Sequence, residues 1–390
     1  MQYWWCSMEE LWITLPAYAP DYSGVCSAMF ELGGLCVIHD ASGCTGNYTG
    51  YDEPRWYGST SKVFCSGLRE IDAVLGQDDK LINNILEAGK LINPTMYTVI
   101  GSPVPMIIGT DTKGIACEIE EKTGVPSFGF DTNGLGLYNK GISEAMCELI
   151  KRFTLAPKEK VKRGVNILGT TPLDLSANSN AQDLKERLEE WGFKVIGQMM
   201  MGATIWQLEN LANAQLNLVV TESGLAAAQL LERKYHIPYV VGMPLGQEED
   251  VRELMEQALA SGTSAQIQEV GEAGGVLIVG EQVLGNSLRR MLKKKAPHTR
   301  VTVATLTGLN KKLASEGDIN VPGEETLLDL INSNHYHTLI GDPLMEELIG
   351  EASKVKFVAL PHVALSSKLH WNNVPRLLTE EIDTLAKAVL

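Results

Sequence analysis

The stretch VNILG (165–169) is followed by a helical segment, AQDLKERLEEWG (181–192), and then by a second apolar run, KVIGQ (194–198). Gly192 predicts the end of the helix, since glycine readily takes the left-handed conformation that closes a helix. A short apolar strand, a helix and another strand form the βαβ unit of a parallel sheet with helices on both faces. This unit indicates the α/β class.

The same alternation of apolar strands and helices continues outward in both directions. On one side it runs to about residue 155 and includes a predicted helix at 78–92, and on the other it resumes near residue 274. Further predicted strands are LCVIH (35–39), KVF (62–64), YTVIG (97–101), LNLVV (216–220), PYVVG (238–242), GGVLIVG (274–280), VTVATL (301–306), HTLIG (337–341) and VKFVALP (355–361).

We therefore expect three Rossmann-like domains with parallel sheets, at residues 1–157, 158–272 and 273–390. The charged segment APKEKVKRG (156–164) contains Pro157 and is predicted as the first linker. Ligands of such sheets bind beyond the carboxyl ends of the strands. Chemistry is accordingly expected in the loops after Gly101, Gly169, Val220 and Gly280.

The composition of the 390 residues restricts the partners. The net charge is −15 and the pI is about 5.0, a balance that disfavours nucleic acid and anionic membrane surfaces. No apolar run reaches the length of a membrane span. The first residues lack the basic segment and cleavage site of a signal peptide. We expect a cytoplasmic protein that binds neither nucleic acid nor membrane.

Common catalytic motifs are missing from the sequence. There is no G-x-x-x-x-G-K-[ST] motif, so the chain has no P-loop for ATP. There is also no H-E-x-x-H, G-x-S-x-G or C-x-x-C motif, which leaves hydrolytic zinc and serine chemistry without support.

All seven cysteines fall in the first 150 residues. Cys44 lies in the loop HDASGCTGNYTG, whose glycines suit an iron–sulfur cluster because backbone N–H groups must turn towards the sulfurs. Cys65 follows the strand KVF, and Cys26 precedes a segment predicted as a short helix or turn. Both are therefore expected at element boundaries.

The alternative is a set of buried thiols, since free cysteine is among the most buried residues. We predict this role for Cys36, inside a strand, and for Cys117 and Cys147, inside helices. For Cys26 and Cys44, spacing alone leaves ligation and burial open. Cys6 is left unassigned.

The segment CSAMFELGGLCVIHDASGC (26–44) resembles the start of nitrogenase component 1 subunits, where a cysteine is followed by a strand and a His-Gly-Pro-x-Gly-Cys loop. His39, Gly43 and Cys44 match that loop, whereas Asp40 and Ala41 depart from it. A second segment, FCSGLREIDAVLGQDDKL (64–81), is also similar to the family. Its matching residues are Glu70, Asp72, Gly76, Lys80 and Leu81.

In the middle of the chain, ILG (167–169), LEEWGFKVIGQ (188–198) and the stretch 216–240 follow the family's order and spacing. The resemblance weakens after about residue 270. It thus covers most of the chain and implies the component 1 fold.

The resemblance implies that Cys26 and Cys44 bind an iron–sulfur cluster lying between two subunits. The family's third ligand falls in YTVIGSPVPMIIGTD (97–111), where the chain offers Pro103 or Val104 and no cysteine. Cys65 is the candidate substitute. A 4Fe–4S cluster is expected, with a P-cluster-like arrangement as the alternative. Two cysteines per chain favour a homodimer or a paralogous component 1 partner.

At the position of the cysteine that anchors the molybdenum–iron cofactor in nitrogenase, this chain has Thr221. A hydroxyl does not replace a soft thiolate on iron, so no iron–molybdenum cofactor is expected. His362 and His370 lie in LPHVALSSKLHW, which does not match the family's cofactor histidine. We predict that both are ordinary interior or surface histidines.

The function that the resemblance implies is electron transfer from a separate ATP-dependent iron protein to a small-molecule or tetrapyrrole substrate, with dinitrogen not expected. Candidate proton donors are Glu222, Asp111 and His39. Two alternatives are a non-catalytic scaffold or carrier for metallocluster assembly and a plain small-molecule binding protein.

Overall fold

Three parallel β-sheets follow one another along the chain in a computed structural model that describes residues 12–267, 269 and 271–390. Cys6 lies outside these residues. The sheets have four, five and five strands, and every strand pair between them is parallel. The predicted fold class of three Rossmann-like domains with parallel sheets is confirmed.

The first sheet carries the predicted cluster cysteines. Its strands are β1 Leu35–Ile38, β2 Lys62–Cys65, β3 Tyr97–Ile100 and β4 Ser127–Phe130. The helices of this part of the chain are α1 Asp21–Met29, α2 Gly43–Asn47, α3 Glu70–Leu75, α4 Asp78–Ile92, α5 Pro103–Ile107, α6 Thr112–Thr123 and α7 Tyr138–Phe153, and a π-helical turn, Tyr48–Asp52, follows α2.

The second and third sheets repeat the pattern. The second has β5 Gly164–Leu168, β6 Lys194–Gln198, β7 Leu216–Val219, β8 Tyr239–Val241 and β9 Ala265–Gln266, with α8 Pro172–Leu175, α9 Asn180–Glu190, α10 Ile205–Asn210, α11 Leu225–Tyr235 and α12 Asp250–Ser261. The third has β10 Gly275–Val279, β11 Val301–Thr305, β12 Ile319–Asn320, β13 Tyr336–Gly341 and β14 Lys356–Ala359, with α13 Gln282–Lys295, α14 Glu324–Ile331, α15 Val363–Ser366 and α16 Glu380–Val389.

The strand orders place a crevice in each sheet. They are β2-β1-β3-β4, β6-β5-β7-β8-β9 and β12-β11-β10-β13-β14, so the first strand along the chain is internal in every sheet. Successive connections leave this strand in opposite directions, and ligands bind where the direction reverses. In the first sheet this point lies between β1 and β3, where Ile38 is aligned with Ile100.

Burial explains why the strands are apolar without interruption. All residues of β1, β3, β5, β7, β10 and β11 are buried, because helices cover both faces of the sheets. The edge strand β2 is partly exposed. Among residues 12–267, 269 and 271–390, no helix is long and apolar enough to cross a membrane.

The chain after α15 returns to the second sheet. The Arg187 guanidinium on α9 donates to the carbonyl of Leu378 at 3.1 Å, and Arg376 pairs with Asp183 at 2.7 Å. Apolar residues of α16 join the same buried cluster as residues of the second domain. The domain boundaries near residues 158 and 272 stay predictions about independently folding units.

The first helix differs from the prediction. Helix α1 begins at Asp21, so Cys26 lies inside a helix and its predicted position at an element boundary is wrong. All nine residues of α1 are buried, and a helix enclosed on every side has no amphipathic period for a sequence pattern to show.

Two glycines bring α1 and α7 into backbone contact. A Cβ atom at Gly24 would lie 2.1 Å from the carbonyl oxygen of Tyr138, and one at Gly141 would lie 2.0 Å from that of Asp21. No side chain larger than hydrogen fits at this crossing. The contact sets the position of α1, and therefore of Tyr22 and Cys26.

We expect Gly141→Ala to lower the free energy of unfolding by about 3 kcal/mol or more, because the methyl group forces the two helices apart. Gly46→Ala in α2 is the matched control, since a Cβ there meets no atom within 4 Å. Its effect should stay below about 1 kcal/mol. Urea unfolding followed by circular dichroism measures both. Equal unfolding midpoints for the two variants would contradict the close crossing.

Candidate functional site

Two of the predicted cysteines lie together at the carboxyl edge of the first sheet. The Cys65 thiol, at the end of β2, donates to the backbone oxygen of Asp40 at 3.2 Å. Cys44, in the first turn of α2, contacts the side chain of the same aspartate. Both cysteines are half-buried, so Asp40 links two thiols that a ligand can reach from outside.

The backbone around Cys65 suits a metal-bound sulfur. The Gly67 N–H donates to the Cys65 sulfur at 3.3 Å, and Gly67 has a φ of 68°, a conformation that favours glycine. Backbone N–H groups turned towards sulfur are the surroundings expected of iron–sulfur ligands.

Cys26 has different surroundings. Its side chain is 0% exposed and contacts the Cys36 thiol and Tyr48. Burial, with the neighbouring Cys36, raises its pKa well above the ordinary value for a thiol. Because its own chain encloses the sulfur, iron shared with a second subunit requires α1 to move. The ligand role of Cys26 stays a prediction.

The residues beside Cys44 that the sequence did not single out are Tyr22 and Ser102, whose side chains contact its thiol. Ser102 directly follows β3 and its hydroxyl donates to the His39 carbonyl at 2.7 Å. It lies in the segment where the third ligand was expected, so Ser102, and not Pro103 or Val104, is the neighbour of Cys44. The signal that points to it is its place after a strand at the crevice.

An iron–sulfur cluster ordinarily takes about four protein ligands. Within the described ranges of the chain, no group of three or more His, Cys, Asp and Glu side chains is arranged to hold a metal ion. The two accessible thiols, Cys44 and Cys65, fit a cluster that a second chain completes. A cluster held by one chain alone does not fit this arrangement.

The other cysteines divide between buried and exposed. Cys36 is buried, which confirms its predicted role, and Cys147 is half-buried. Cys117 is exposed, so the prediction of a buried thiol is wrong there. Helix α6 buries Ile115 and Ile119, and Cys117 lies on the opposite face.

The candidate proton donors are not brought together. His39 is buried at the edge of the first sheet, with Nδ1 2.8 Å from the Ser66 hydroxyl, and burial lowers its pKa. Asp111 is exposed and accepts from the Gly114 N–H at the start of α6. Glu222 lies at a separate site, where all three domains meet.

At that junction one carboxylate joins side chains from three domains. Asp174, after β5, accepts through Oδ1 from the hydroxyl of Tyr138 on α7 and from Nε2 of His362, which lies at 2.8 Å. The Tyr138 hydroxyl and the His362 Nε2 are 3.0 Å apart. His362 is therefore a buried histidine with polar partners, whereas His370 is partly exposed.

Two glutamates extend the junction. Glu281 accepts from the backbone N–H of Glu222 at 2.8 Å and from that of Leu284 at 2.7 Å. Glu222 accepts from the side-chain amides of Asn139 at 3.0 Å and Asn310 at 2.9 Å. Burial, with the nearby charge of Asp174, raises the pKa of Glu281 to about 8.

Thr221 is buried beside these residues. Its hydroxyl donates to the Gly169 carbonyl at 2.8 Å and lies 2.8 Å from the Ser223 hydroxyl. The side chain therefore takes part in bonds within the chain. The expectation of no iron–molybdenum cofactor stays a prediction that rests on the missing thiolate.

The family of nitrogenase component 1 type oxidoreductases matches residues 21–269. The chain belongs to this family. The resemblance seen in the cysteine segments is thereby confirmed.

Three sequence relatives show the range of the family. The nitrogenase molybdenum–iron protein alpha chain of Clostridium pasteurianum is 27% identical over 50% of this chain and 37% of its own length. The nitrogenase iron–molybdenum cofactor biosynthesis protein NifE of Methanococcus maripaludis is 26% identical over 64% of this chain and 51% of its own. A light-independent protochlorophyllide reductase subunit of Leptolyngbya boryana is 26% identical over 45% and 37%. These matches cover about half of each relative or less.

A solved structure titled "Nitrogenase Cp1 at pH 5" superposes with a TM-score of 0.68 and 15% sequence identity. The superposition covers 98% of this chain and 89% of that chain. It establishes the shared fold.

We predict that Cys44→Ser and Cys65→Ser each lose iron and the brown absorbance of anaerobically purified protein, because serine does not replace a thiolate on iron. Cys117→Ser, which changes an exposed thiol on α6, is the control and should keep both. Iron analysis and absorption spectra measure the effect.

Cys26→Ser then tests the enclosed thiol. Loss of iron in a folded Cys26→Ser protein would show that α1 opens to bind metal. Unchanged iron in both Cys44→Ser and Cys65→Ser would rule out the site at the sheet edge.

We also expect Glu281 to make stability depend on pH. Its pKa is about 8 when folded against an ordinary 4.5, so the folded protein keeps a proton that the unfolded chain releases. The stabilisation is complete below the lower value and is lost as pH rises towards the higher, by at most about 1.4 kcal/mol per pH unit. Glu281→Gln should flatten this fall.

Urea unfolding of the wild type and of Glu281→Gln between about pH 5 and about pH 8 measures the difference. The control is Glu325→Gln, which changes an exposed residue of α14. A wild type and a Glu281→Gln protein with parallel pH profiles would contradict the raised pKa.

Proposed function

We propose that this chain is the electron-accepting subunit of a nitrogenase-like iron–sulfur reductase. In this proposal Cys44 and Cys65 hold a cluster that a second copy or a paralogous subunit completes, and electrons come from a separate ATP-dependent iron protein. The observation that carries the proposal is an exposed apolar surface at the sheet edge where these thiols lie.

This docking patch comes from two helices and the turn after the second. Its six large apolar side chains are between 43% and 84% exposed. They are Ile71, Val74 and Leu75 of α3, and Val104, Ile107 and Ile108 in and after α5. Contiguous apolar surface of this kind marks a protein interaction site.

A small cleft joins the two halves of the docking patch. It has a volume of about 120 Å³, and its walls include Ala73 and Gly76 from the α3 side and Ile108 and Gly109 from the α5 side. His39 lies in the same cleft. The patch and the predicted proton donor are therefore on one continuous surface.

The rim of the patch is polar. Asp72 and Asp78 line the cleft, and Lys80 pairs with Asp72 at 2.7 Å. An apolar centre with a charged rim is the usual anatomy of a protein interface. The net charge of −15 favours a partner with basic groups around its contact surface.

The position of the patch connects it to the thiols. Helix α3 follows the turn that contains Cys65, and α5 begins directly after Ser102, the neighbour of Cys44. A protein docked here lies over the edge that carries both sulfurs. A bound cluster would supply one-electron transfer, while the residues of this chain hold it and position the donor.

A second candidate function is a carrier for metallocluster assembly. It is favoured by the biosynthesis relative NifE, whose match covers 64% of this chain. The two functions differ in one measurable property. ATP-dependent oxidation of the iron protein with reduction of the cluster on this chain supports a reductase, whereas transfer of iron to an apo-acceptor without ATP-dependent reduction supports a carrier.

We expect Ile107→Glu and Val74→Glu to weaken binding of the cognate iron protein at least about tenfold, because each places a charge in the apolar centre of the interface. Leu91→Glu is the matched control. Leu91 is 89% exposed near the carboxyl end of α4, which leads into the amino end of β3 and thus lies at the opposite edge of the sheet.

Anaerobic affinity measurements with the iron protein and a non-hydrolysable ATP analogue test the docking patch. The variants must keep the circular dichroism spectrum of the wild type. Equal affinities for Ile107→Glu, Val74→Glu and Leu91→Glu would place the electron donor elsewhere.

A further inference from the structure

A large cavity lies between the first and third domains, separate from the docking patch. Its volume is about 870 Å³, within the range of sites that hold small organic molecules. We call it the interdomain cavity, and its principal lining side chains are Tyr18, Tyr22, Tyr51, Pro103, Leu365 and Leu369.

One layer of side chains separates the cavity from Cys44. Tyr22 lines the cavity and contacts the Cys44 thiol. Pro103 lines it as well and follows Ser102, which contacts the same thiol. A molecule in the cavity is therefore a close neighbour of the proposed cluster.

Tyr18 supplies a polar atom without a partner. Its side chain is 5% exposed, yet its hydroxyl has no hydrogen-bond partner among the described residues. Leaving such a group unpaired costs about 1–3 kcal/mol, which a ligand atom at this position would recover. The ring is held edge-on against His362, with the centroids 5.4 Å apart.

Charged groups on the wall define the ligand further. Lys368 lines the cavity beside exposed residues, and its ammonium donates to the Tyr57 hydroxyl at 2.8 Å. Asp52 also lines it, but its carboxylate already accepts from Ser23 at 2.7 Å and Asn47 at 2.8 Å. The cation keeps donors available at the rim, whereas the anion is occupied inside.

We propose that the interdomain cavity binds an apolar aromatic anion. Its ring body packs against the tyrosine, proline and leucine side chains, an acceptor atom takes the Tyr18 hydroxyl, and its acidic group pairs with Lys368. That this ligand is the molecule to be reduced rests on the proposed function. The binding itself does not.

Fluorescence titration of the full chain with two dyes tests the proposal. Anilinonaphthalene sulfonate is an aromatic anion, and phenylnaphthylamine has a similar apolar body without the charge. We expect both to bind. Lys368→Glu should weaken the sulfonate at least about fivefold and leave the neutral dye within about twofold. Lys62→Glu, on the exposed edge strand β2, should change neither.

Ala364→Trp fills the cavity and should abolish binding of both dyes. If that buried substitution prevents folding, Leu369→Trp at the 70% exposed rim position takes its place. Dye binding that survives the filling variant, or no binding to the wild type, would overturn the cavity as the site. Equal weakening of both dyes by Lys368→Glu would overturn the acidic group.

The titration needs neither iron nor the iron protein. A failed docking experiment therefore leaves this result standing. Likewise, an empty cavity would leave the electron-accepting role intact.

Discussion

The Asp174 carboxylate connects the three domains. Its Oδ1 accepts from Tyr138 of the first domain and from His362 of the third, and all three side chains are buried. A buried carboxylate that loses its partners is strongly destabilising, so the three sheets are held in one arrangement. Tyr18 packs against the same histidine, which extends this constraint to the wall of the interdomain cavity.

The first sheet converts strand order into a site. Because β1 and β3 are neighbours and the chain leaves them in opposite directions, the loops after them meet at their carboxyl ends. Cys44 comes from the first loop and Ser102 from the second. The glycine crossing of α1 and α7 then brings Tyr22 against Cys44 and encloses Cys26.

The two surfaces around Cys44 suit different partners. The docking patch is open, apolar and rimmed with charge, which suits a protein. The interdomain cavity is concave and lined by rings, which suits a small molecule. Members of one family can use such a framework for reduction or for cofactor assembly, as the names of the relatives show, so function has to be argued from the site.

The sequence by itself determined the three parallel sheets, helix α4 at its observed bounds, and the position of Cys44 in a glycine-rich loop. These features are local, since apolar runs, helical periods and glycines report the conformation of their own segment. Only the tertiary structure decided that Cys26 faces Cys36, that Ser102 reaches Cys44, and that Tyr138 meets His362 across 224 positions of sequence. A helix buried on all sides leaves no periodic signal, and contacts between distant loops depend on how the domains pack.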